Sequence, residues 1–456
     1  MTLWVDIDDL LFHLLHHSRP SGIQRVVFEI SAGLRELRGH EVQFVRRGPD
    51  SGDPRGFRTV DWTSIETLFR QIMEGKTAKA GSSSPGSFPV TPPIDKIASK
   101  DVLTTFFRAE SWALRELSTL PRALAHLALD MGRSKIKERQ KGQSSIQYDE
   151  GTRLADAAQP GDVFLTLGAP WHHPNYVQSI RWMRDELRMS FGMLMHDLVP
   201  VRHPEWCDRG IIMTFKAWHS AILPLADMIF ANSDATAHDV QSYLAEQDIG
   251  TNVTVQTIPL GTGFGLADAP MAPEPIVQKP YVLFVSTIEA RKNHVLLFRV
   301  WRKLLEDMPA ESVPTLVFAG REGWLVSDLM QQLENARWLD GKIRFVQNPT
   351  DAELRRLYAD CSFTIFPSFF EGWGLPVTES LSMGRPCLAS GTTSIPEAGG
   401  KLSRYFNPDN INEAYTLVRK TIEDADGLKA WTQQVRSDFK PVPWNESAKA
   451  ILDKIN

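Results

Sequence analysis

Short, continuous apolar runs recur along this chain in two series, and that pattern leaves few folds open. The first series is TLWVDI, EVQFVRR, GDVFLTLGA, FGMLMHD and ADMIFANS. The second is YVLFVST, TLVFAGR, KIRFVQN, FTIFPSF and RPCLAS. Helical patterns alternate with these runs. Strands that are apolar throughout must be covered on both faces, and a strand–helix–strand order builds a parallel sheet with helices on each side. Between the series lies GTGFGLADAPMAPEPIVQKP, whose Gly, Ala and Pro content suits a linker. The expectation is an α/β protein with two doubly wound domains, 1–262 and 278–440. The tail 441–456 places Ala448, Ile451, Leu452 and Ile455 on or near one helical face, and is expected to pack back toward the first domain.

One region departs from this alternation. Residues 76–100 include AGSSSPGSFPVTPP, a flexible Ser/Gly/Pro segment, and a helical, then basic, stretch follows. Together they read as an insertion at about 76–150 within the first domain. Within 103–141, Phe106, Phe107 and Trp112 precede a cluster of Arg133, Lys135, Lys137, Arg139 and Lys141. That combination suits either a peripheral contact with an anionic membrane face or packing on the first domain or a second subunit, with a solvated basic loop.

Composition excludes several classes. The 456 residues are 42% apolar and 23% charged, ordinary for a globular protein, and the formal net charge of -5 gives no broad attraction to nucleic acid. Three cysteines, Cys207, Cys361 and Cys387, make no disulfide framework; the last two sit in apolar runs that suit buried thiols. MTLWVDIDDL has acids where a signal peptide has a basic start, and no run reaches the ~18 apolar residues of a membrane span. These features lead to the expectation of a cytoplasmic protein.

Ligands of open parallel sheets bind beyond the carboxyl ends of the strands, near helix N-termini. Three stretches belong there. In SRPSGIQRVVFEI, Ser21 is placed to cap a helix and Gly22 lets a ligand approach its free N–H groups; an ordinary capped helix reads the same way. In FVSTIEARKNHVLLFRVW, a strand ends at Ser286 or Thr287 and a helix begins near Asn293. Arg291 and Lys292 then sit at the positive end of a helix dipole, where a bound diphosphate would favour them; a solvated basic turn is the alternative. In FPSFFEGWGLPVTESLSMG, Glu371 falls in a Gly-rich turn and Glu379 one turn into the next helix. Two carboxylates beside an amide-lined anion site could accept from sugar hydroxyls on either side of a diphosphate.

These motifs carry a resemblance. FPSFFEGWGLPVTESLSMGRPCLAS with STIEARKNH upstream resembles the donor site of family-4 retaining glycosyltransferases of the GT-B fold. SRPSGIQRVV, MHDLVPVRHPEW, FANSDATAHDV, IPLGTGF and TTSIPEAGG are similar to other segments of that family, over most of 1–30 and 160–450. The chain is similar to bacterial polysaccharide mannosyl- and glucosyltransferases. The resemblance implies two Rossmann-like domains facing across a cleft, the second holding a nucleoside-diphosphate sugar as substrate, with no cofactor or metal. GDP-mannose is the first donor expected and UDP-glucose the second; the acceptor is a glycan or lipid-linked glycan. It further implies that Glu371 holds hydroxyls of the transferred sugar, Glu379 holds the ribose, and Arg291 and Lys292 neutralise the diphosphate. Amides at Gly374 and Leu375 assist, and Thr287 belongs to the donor-binding set. His196 reaches the reacting sugar, Gly22 lets the first domain close on the phosphates, and Asp197 is an acceptor-side residue. A sugar-nucleotide epimerase on the same scaffold and a non-catalytic assembly subunit are the other readings. The DID at 6–8 resembles a metal motif at an unsuitable strand end, and WHHPN at 171–175 reads as acceptor-side or structural.

Overall fold

The computed structural model describes residues 1–16, 21–47, 53–73, 151–173, 175–250, 253–263 and 271–455. The stretch 103–141, read as either membrane-facing or packed on protein, lies outside the described residues, as does the rest of the insertion at about 76–150. The described strands form two sheets. The first contains β1 (Leu3–Asp6), β2 (Val42–Arg47), β3 (Phe57–Val60), β4 (Val163–Thr166), β5 (Ser190–Met195), β6 (Met228–Ala231) and β7 (Val255–Thr257). Its order is β3-β2-β1-β4-β5-β6-β7, parallel except for β3, which runs antiparallel to β2. The second contains β8 (Tyr281–Val285), β9 (Thr315–Gly320), β10 (Ile343–Gln347), β11 (Phe363–Phe366), β12 (Cys387–Ser390) and β13 (Arg404–Phe406). Its order is β10-β9-β8-β11-β12-β13, parallel throughout.

Alternation within each central strand explains the apolar runs. Leu3 and Val5 of β1 join one core layer with Val27, Ile30 and Leu34, while Trp4 between them joins another with Phe164 and Phe191. Val282 and Phe284 of β8 likewise face one layer and Tyr281 and Leu283 the other. Both faces are covered, so a polar residue in these strands needs a buried partner, as Asp6 has in Tyr176. The strands that no apolar run announces are β3, β7 and β13, each at a sheet edge. An edge strand needs less apolar surface: in β3 only Phe57 is fully buried.

In both sheets the strand order reverses beside a central strand, between β1 and β4 and between β8 and β11. Such reversal points open a crevice at the carboxyl edge. The Trp444–Ile455 helix packs on the Gly22–Arg38 helix of the first sheet's layer. Gly33 makes that approach close: a Cβ there would lie 2.9 Å from the Ala448 Cβ. Val442 and Thr262 exchange hydrogen bonds of 2.9 Å where the chain returns. Cys361 and Cys387 are buried free thiols. No helix among the described residues is long and apolar enough to cross a membrane.

Candidate functional site

A cleft of about 510 Å3 lies where the carboxyl ends of the two sheets meet. His196 and Asn232 reach it from the ends of β5 and β6, and Ser286, Arg321, Asn348 and Glu371 from beyond β8, β9, β10 and β11. Gly22, His196, Asp197, Thr287, Arg291, Lys292, Glu371, Gly374, Leu375 and Glu379 all line it. The sequence-predicted residues, scattered over the chain, are therefore brought together.

Glu371 is the charged centre. Its Oε2 accepts from Arg291 Nη1 at 2.9 Å and its Oε1 from Lys292 Nζ at 2.6 Å. Burial alone would raise its carboxyl, but Arg291 and Lys292 outweigh burial and hold it at about 2. Arg291 also donates to Glu289 Oε1 at 2.8 Å and to the Phe370 carbonyl at 2.6 Å. The dipole reading of this turn needs amending: Glu371 and Glu289 already balance the cations, so a bound anion is not required to hold them here. Local geometry fixes the cations. Residues Ala290–Lys292 form a single 3-10 turn ended by Asn293 in the left-handed region (φ 59°). Asn293 Nδ2 donates to the carbonyls of Pro367 at 3.2 Å and Pro408 at 3.0 Å, tying the turn to the loops after β11 and β13.

Glu379 sits in a different field. Its Oε1 accepts from Arg25 Nη1 at 2.8 Å and its Oε2 from the Tyr358 hydroxyl at 2.9 Å. Arg25 also reaches Asp351 at 3.1 Å, so one guanidinium bridges the Gly22–Arg38 helix to two carboxylates of the other sheet's layer. Burial outweighs Arg25 and the Tyr358 hydroxyl, and holds the Glu379 carboxyl above its ordinary value. The two glutamates are thus pushed in opposite directions by their surroundings. Arg25, Asp351, Tyr358 and Glu289 are absent from the sequence reading. Arg25 lies three residues after the singled-out Gly22, but its partners are more than three hundred residues away.

Glycines set the close approaches. Gly374 begins the Leu375–Ser382 helix at φ 107°, a conformation strained for any other residue. A Cβ on Gly372 would lie 1.7 Å from the His196 carbonyl oxygen, so the Glu371 turn rests directly on the end of β5. Gly22 faces Leu375, whose Cδ1 would be 3.5 Å from an added Cβ. Ser21 does not cap the helix as expected; its hydroxyl pairs instead with the Gln24 side chain. His196 Nε2 lies 2.8 Å from the Leu167 carbonyl. A carbonyl only accepts, so Nε2 carries the proton and Nδ1 is left as an acceptor. Burial pushes this imidazole below its ordinary value, which keeps it neutral at pH 7. Asp197 Oδ1 accepts from the Val199 N–H at 3.1 Å. Trp373 packs against core layers of both sheets.

The other singled-out residues lie in the first sheet's layer. Asp6 Oδ2 accepts from the Tyr176 hydroxyl at 2.5 Å, and Asp8 Oδ2 is 3.1 Å from His173 Nε2. These contacts give both aspartates, and His173 of the WHHPN stretch, a place in a partly buried network.

The chain resembles known proteins in sequence and in fold. A family model described as "Glycosyl transferases group 1" matches residues 271–438. The serotype-specific mannosyltransferase WbdA of Escherichia coli is 28% identical over 276 residues, 58% of this chain and 33% of that protein. The chain thus spans about a third of the length of that relative. The GDP-mannose:cellobiosyl-diphosphopolyprenol alpha-mannosyltransferase of Komagataeibacter xylinus is 31% identical over 271 residues, 58% of this chain and 67% of that protein. Among solved structures, a glycosyltransferase from Rickettsia africae superposes with a TM-score of 0.53 at 13% identity, covering 100% of this chain and 97% of that one.

Proposed function

Because the chain belongs to the group 1 glycosyl transferases and carries the GT-B fold, we propose that it moves a hexose from a nucleoside-diphosphate sugar to a glycan or lipid-linked glycan, retaining anomeric configuration. The observation that carries this reading is the pair Arg291 and Lys292, anchored on Glu371 at the edge shared by both sheets. Each cation has more donors than Glu371 uses, so both can take phosphate oxygens without releasing the glutamate. GDP-mannose is the donor favoured, since relatives in Escherichia coli and Komagataeibacter xylinus are named as mannosyltransferases, the second for GDP-mannose. UDP-glucose is the second choice. The latter relative's name also includes a diphosphopolyprenol-linked sugar, which supports a lipid-linked acceptor.

In this reading Glu371, ionised at neutral pH, accepts from hydroxyls of the transferred sugar. Glu379 accepts from the ribose with lone pairs that Arg25 and Tyr358 leave over. Thr287 and the amides of Gly374 and Leu375 complete the donor side, and Gly22 gives the phosphates room beneath its helix. In the reacting complex the acceptor oxygen bonds to the anomeric carbon as the bond from that carbon to the phosphate oxygen breaks. The acceptor proton passes to the departing phosphate. Arg291 and Lys292 stabilise the charge that grows on that phosphate, an electrostatic contribution of about 3 kcal/mol or more. Neutral His196 offers Nδ1 to a sugar hydroxyl, and Asp197 orients the acceptor.

The test uses GDP-mannose and UDP-glucose labelled in the sugar, supplied with polyprenyl-diphosphate-linked oligosaccharides. Label from GDP-mannose should enter the oligosaccharide, and Glu371→Gln should slow this strongly. Label appearing only as a free, altered sugar would make the protein an epimerase. No turnover of either donor would favour a non-catalytic assembly role.

A further inference from the structure

One cation of the first sheet's layer reaches into the second's. Arg25, on the Gly22–Arg38 helix, lines the cleft, yet its side chain is only 11% exposed. Its Nη1 donates to Glu379 Oε1 at 2.8 Å and its Nη2 to Asp351 Oδ2 at 3.1 Å. Exposed ion pairs contribute little to stability, but a guanidinium that forks between two carboxylates away from water fixes the geometry of both. Asp351 is itself anchored. It opens the Asp351–Asp360 helix, where a carboxylate suits the helix dipole, and the capping box of Thr350 and Glu353 fixes that start. Tyr358, further along the same helix, donates to Glu379 Oε2 at 2.9 Å.

These partners leave Glu379 with a defined capacity. An ionised carboxylate has two lone-pair directions on each oxygen. Arg25 takes one on Oε1 and Tyr358 one on Oε2, so one remains on each oxygen. Two adjacent hydroxyls, as on a ribose, can donate one bond to each. That match holds only for the ionised form, since a protonated carboxyl presents an O–H in place of an acceptor. Burial favours the protonated form of Glu379. Arg25 is the largest force against it, followed by the Tyr358 hydroxyl; Asp351 adds to the effect of burial and Arg355 opposes it.

We propose that Arg25 is a positioning residue for the nucleotide: it holds Glu379 with one open acceptor site on each oxygen, and through Glu379 sets recognition of the ribose diol. The proposal rests on the donor reading above and adds that the ribose site is completed from the first sheet's layer. Glu379, Tyr358 and Asp351 all belong to the second, so Arg25 makes ribose recognition depend on the two layers being together. The fork matters as well as the charge. An ammonium at this position would carry the charge but could not present two arms in a fixed plane.

The test is titration calorimetry on the full chain with GDP, UDP and the 2′,3′-dideoxy form of each. Wild type should bind at least one of GDP and UDP roughly 10- to 100-fold tighter than its dideoxy form, the range for hydrogen bonds to a charged group. Arg25→Gln should lose most of that ratio with the dideoxy affinity unchanged, which also reports that the variant is folded. Raising the pH from 6 to 8.5 should restore part of the ratio in Arg25→Gln and change wild type less, because the Glu379 carboxyl is higher still without Arg25 and ionises as the pH rises. Arg25→Lys should give a ratio between the two, and it decides alone if Arg25→Gln does not fold. An ion pair that only held the layers together would weaken the ribose and dideoxy forms equally in both variants, and that result would overturn the proposal. So would unchanged ratios in both variants, or tighter binding of GDP or UDP by Arg25→Gln, the sign of a guanidinium that competes with the ribose. Wild type that binds the ribose and dideoxy forms equally would keep the diphosphate reading and remove this proposal; wild type that binds no diphosphate would remove both.

Discussion

Glu371 and Glu379 are eight positions apart, yet their neighbours give them opposite titration behaviour. Arg291 and Lys292 hold Glu371 at about 2, below the ordinary 4.5, despite its burial. A folded-state value below the unfolded one gives stability that is present above about pH 4.5 and lost as pH falls toward 2. The group contributes about 3 kcal/mol at most. Urea midpoints at pH 6 and pH 3 should therefore differ less in Glu371→Gln than in wild type, and equal differences would show that the ion pairs do not stabilise the fold. The two carboxylates should also separate in binding. Glu379→Ala should weaken binding of a bare nucleoside diphosphate, whereas Glu371→Gln, which keeps an oxygen for Arg291 and Lys292, should weaken it less while slowing transfer; calorimetry showing the reverse would exchange the two roles. Glu371 and Glu379 could be placed from the sequence because they flank a Gly- and Pro-containing strand–helix junction, and Arg291 and Lys292 because they fall between a strand end and a helix start. Arg25 could not, because its side chain is explained by Asp351 and Glu379, 326 and 354 residues away. Ser21 misled for a related reason: a capping residue type is only available to cap, and here Gln24 takes its hydroxyl.

At the level of elements, strand ends do most of the positioning. The end of β5 brings His196 against Gly372, and the 3-10 turn after β8 presents Arg291 and Lys292. The end of β1 serves stability instead. Burial, with repulsion from Asp8, raises Asp6 to about 7 against the opposing hydrogen bond from Tyr176. A folded-state value above the unfolded 3.8 makes this group's contribution fall as pH rises from about 4 to 7. Asp6→Asn keeps an oxygen for the Tyr176 hydroxyl and removes the titration. Its stability should decline less than that of wild type between pH 5 and pH 8, as read from urea midpoints. A decline of the same size would place the pH dependence elsewhere. The central strands were legible because a parallel sheet covered on both faces takes mainly apolar residues, with few exceptions such as Asp6 and Thr364. The edge strands β3, β7 and β13 were not, since their stability comes from one neighbour and from tertiary packing that a four-residue run such as FRTV does not encode.

Across the whole molecule, the two sheets' layers meet through specific polar contacts as well as apolar ones, such as Trp206 on Phe369 and Trp373 against both cores. Arg25 spans to Asp351 and Glu379, and Glu397 accepts from the Asp234 and Ala235 N–H groups at 2.7 and 2.8 Å, at the start of the Asp234–Glu246 helix. The Thr236 hydroxyl donates to the Gly372 carbonyl at 3.2 Å. Such polar contacts can be joined or replaced by ligand oxygens, which suits the proposed donor site. The doubling of the strand series announced two sheets, but these cross-cleft pairings depend on residues distant in sequence. The proposed function stands on the cleft holding a nucleoside diphosphate on Arg291 and Lys292. Titration calorimetry of GDP and UDP against GMP and UMP measures this. At least one diphosphate should bind more than about 10-fold tighter than its monophosphate, a difference of at least ~1.4 kcal/mol, and Arg291→Ala should remove most of that preference. Equal affinities for mono- and diphosphate in the wild-type protein would contradict it.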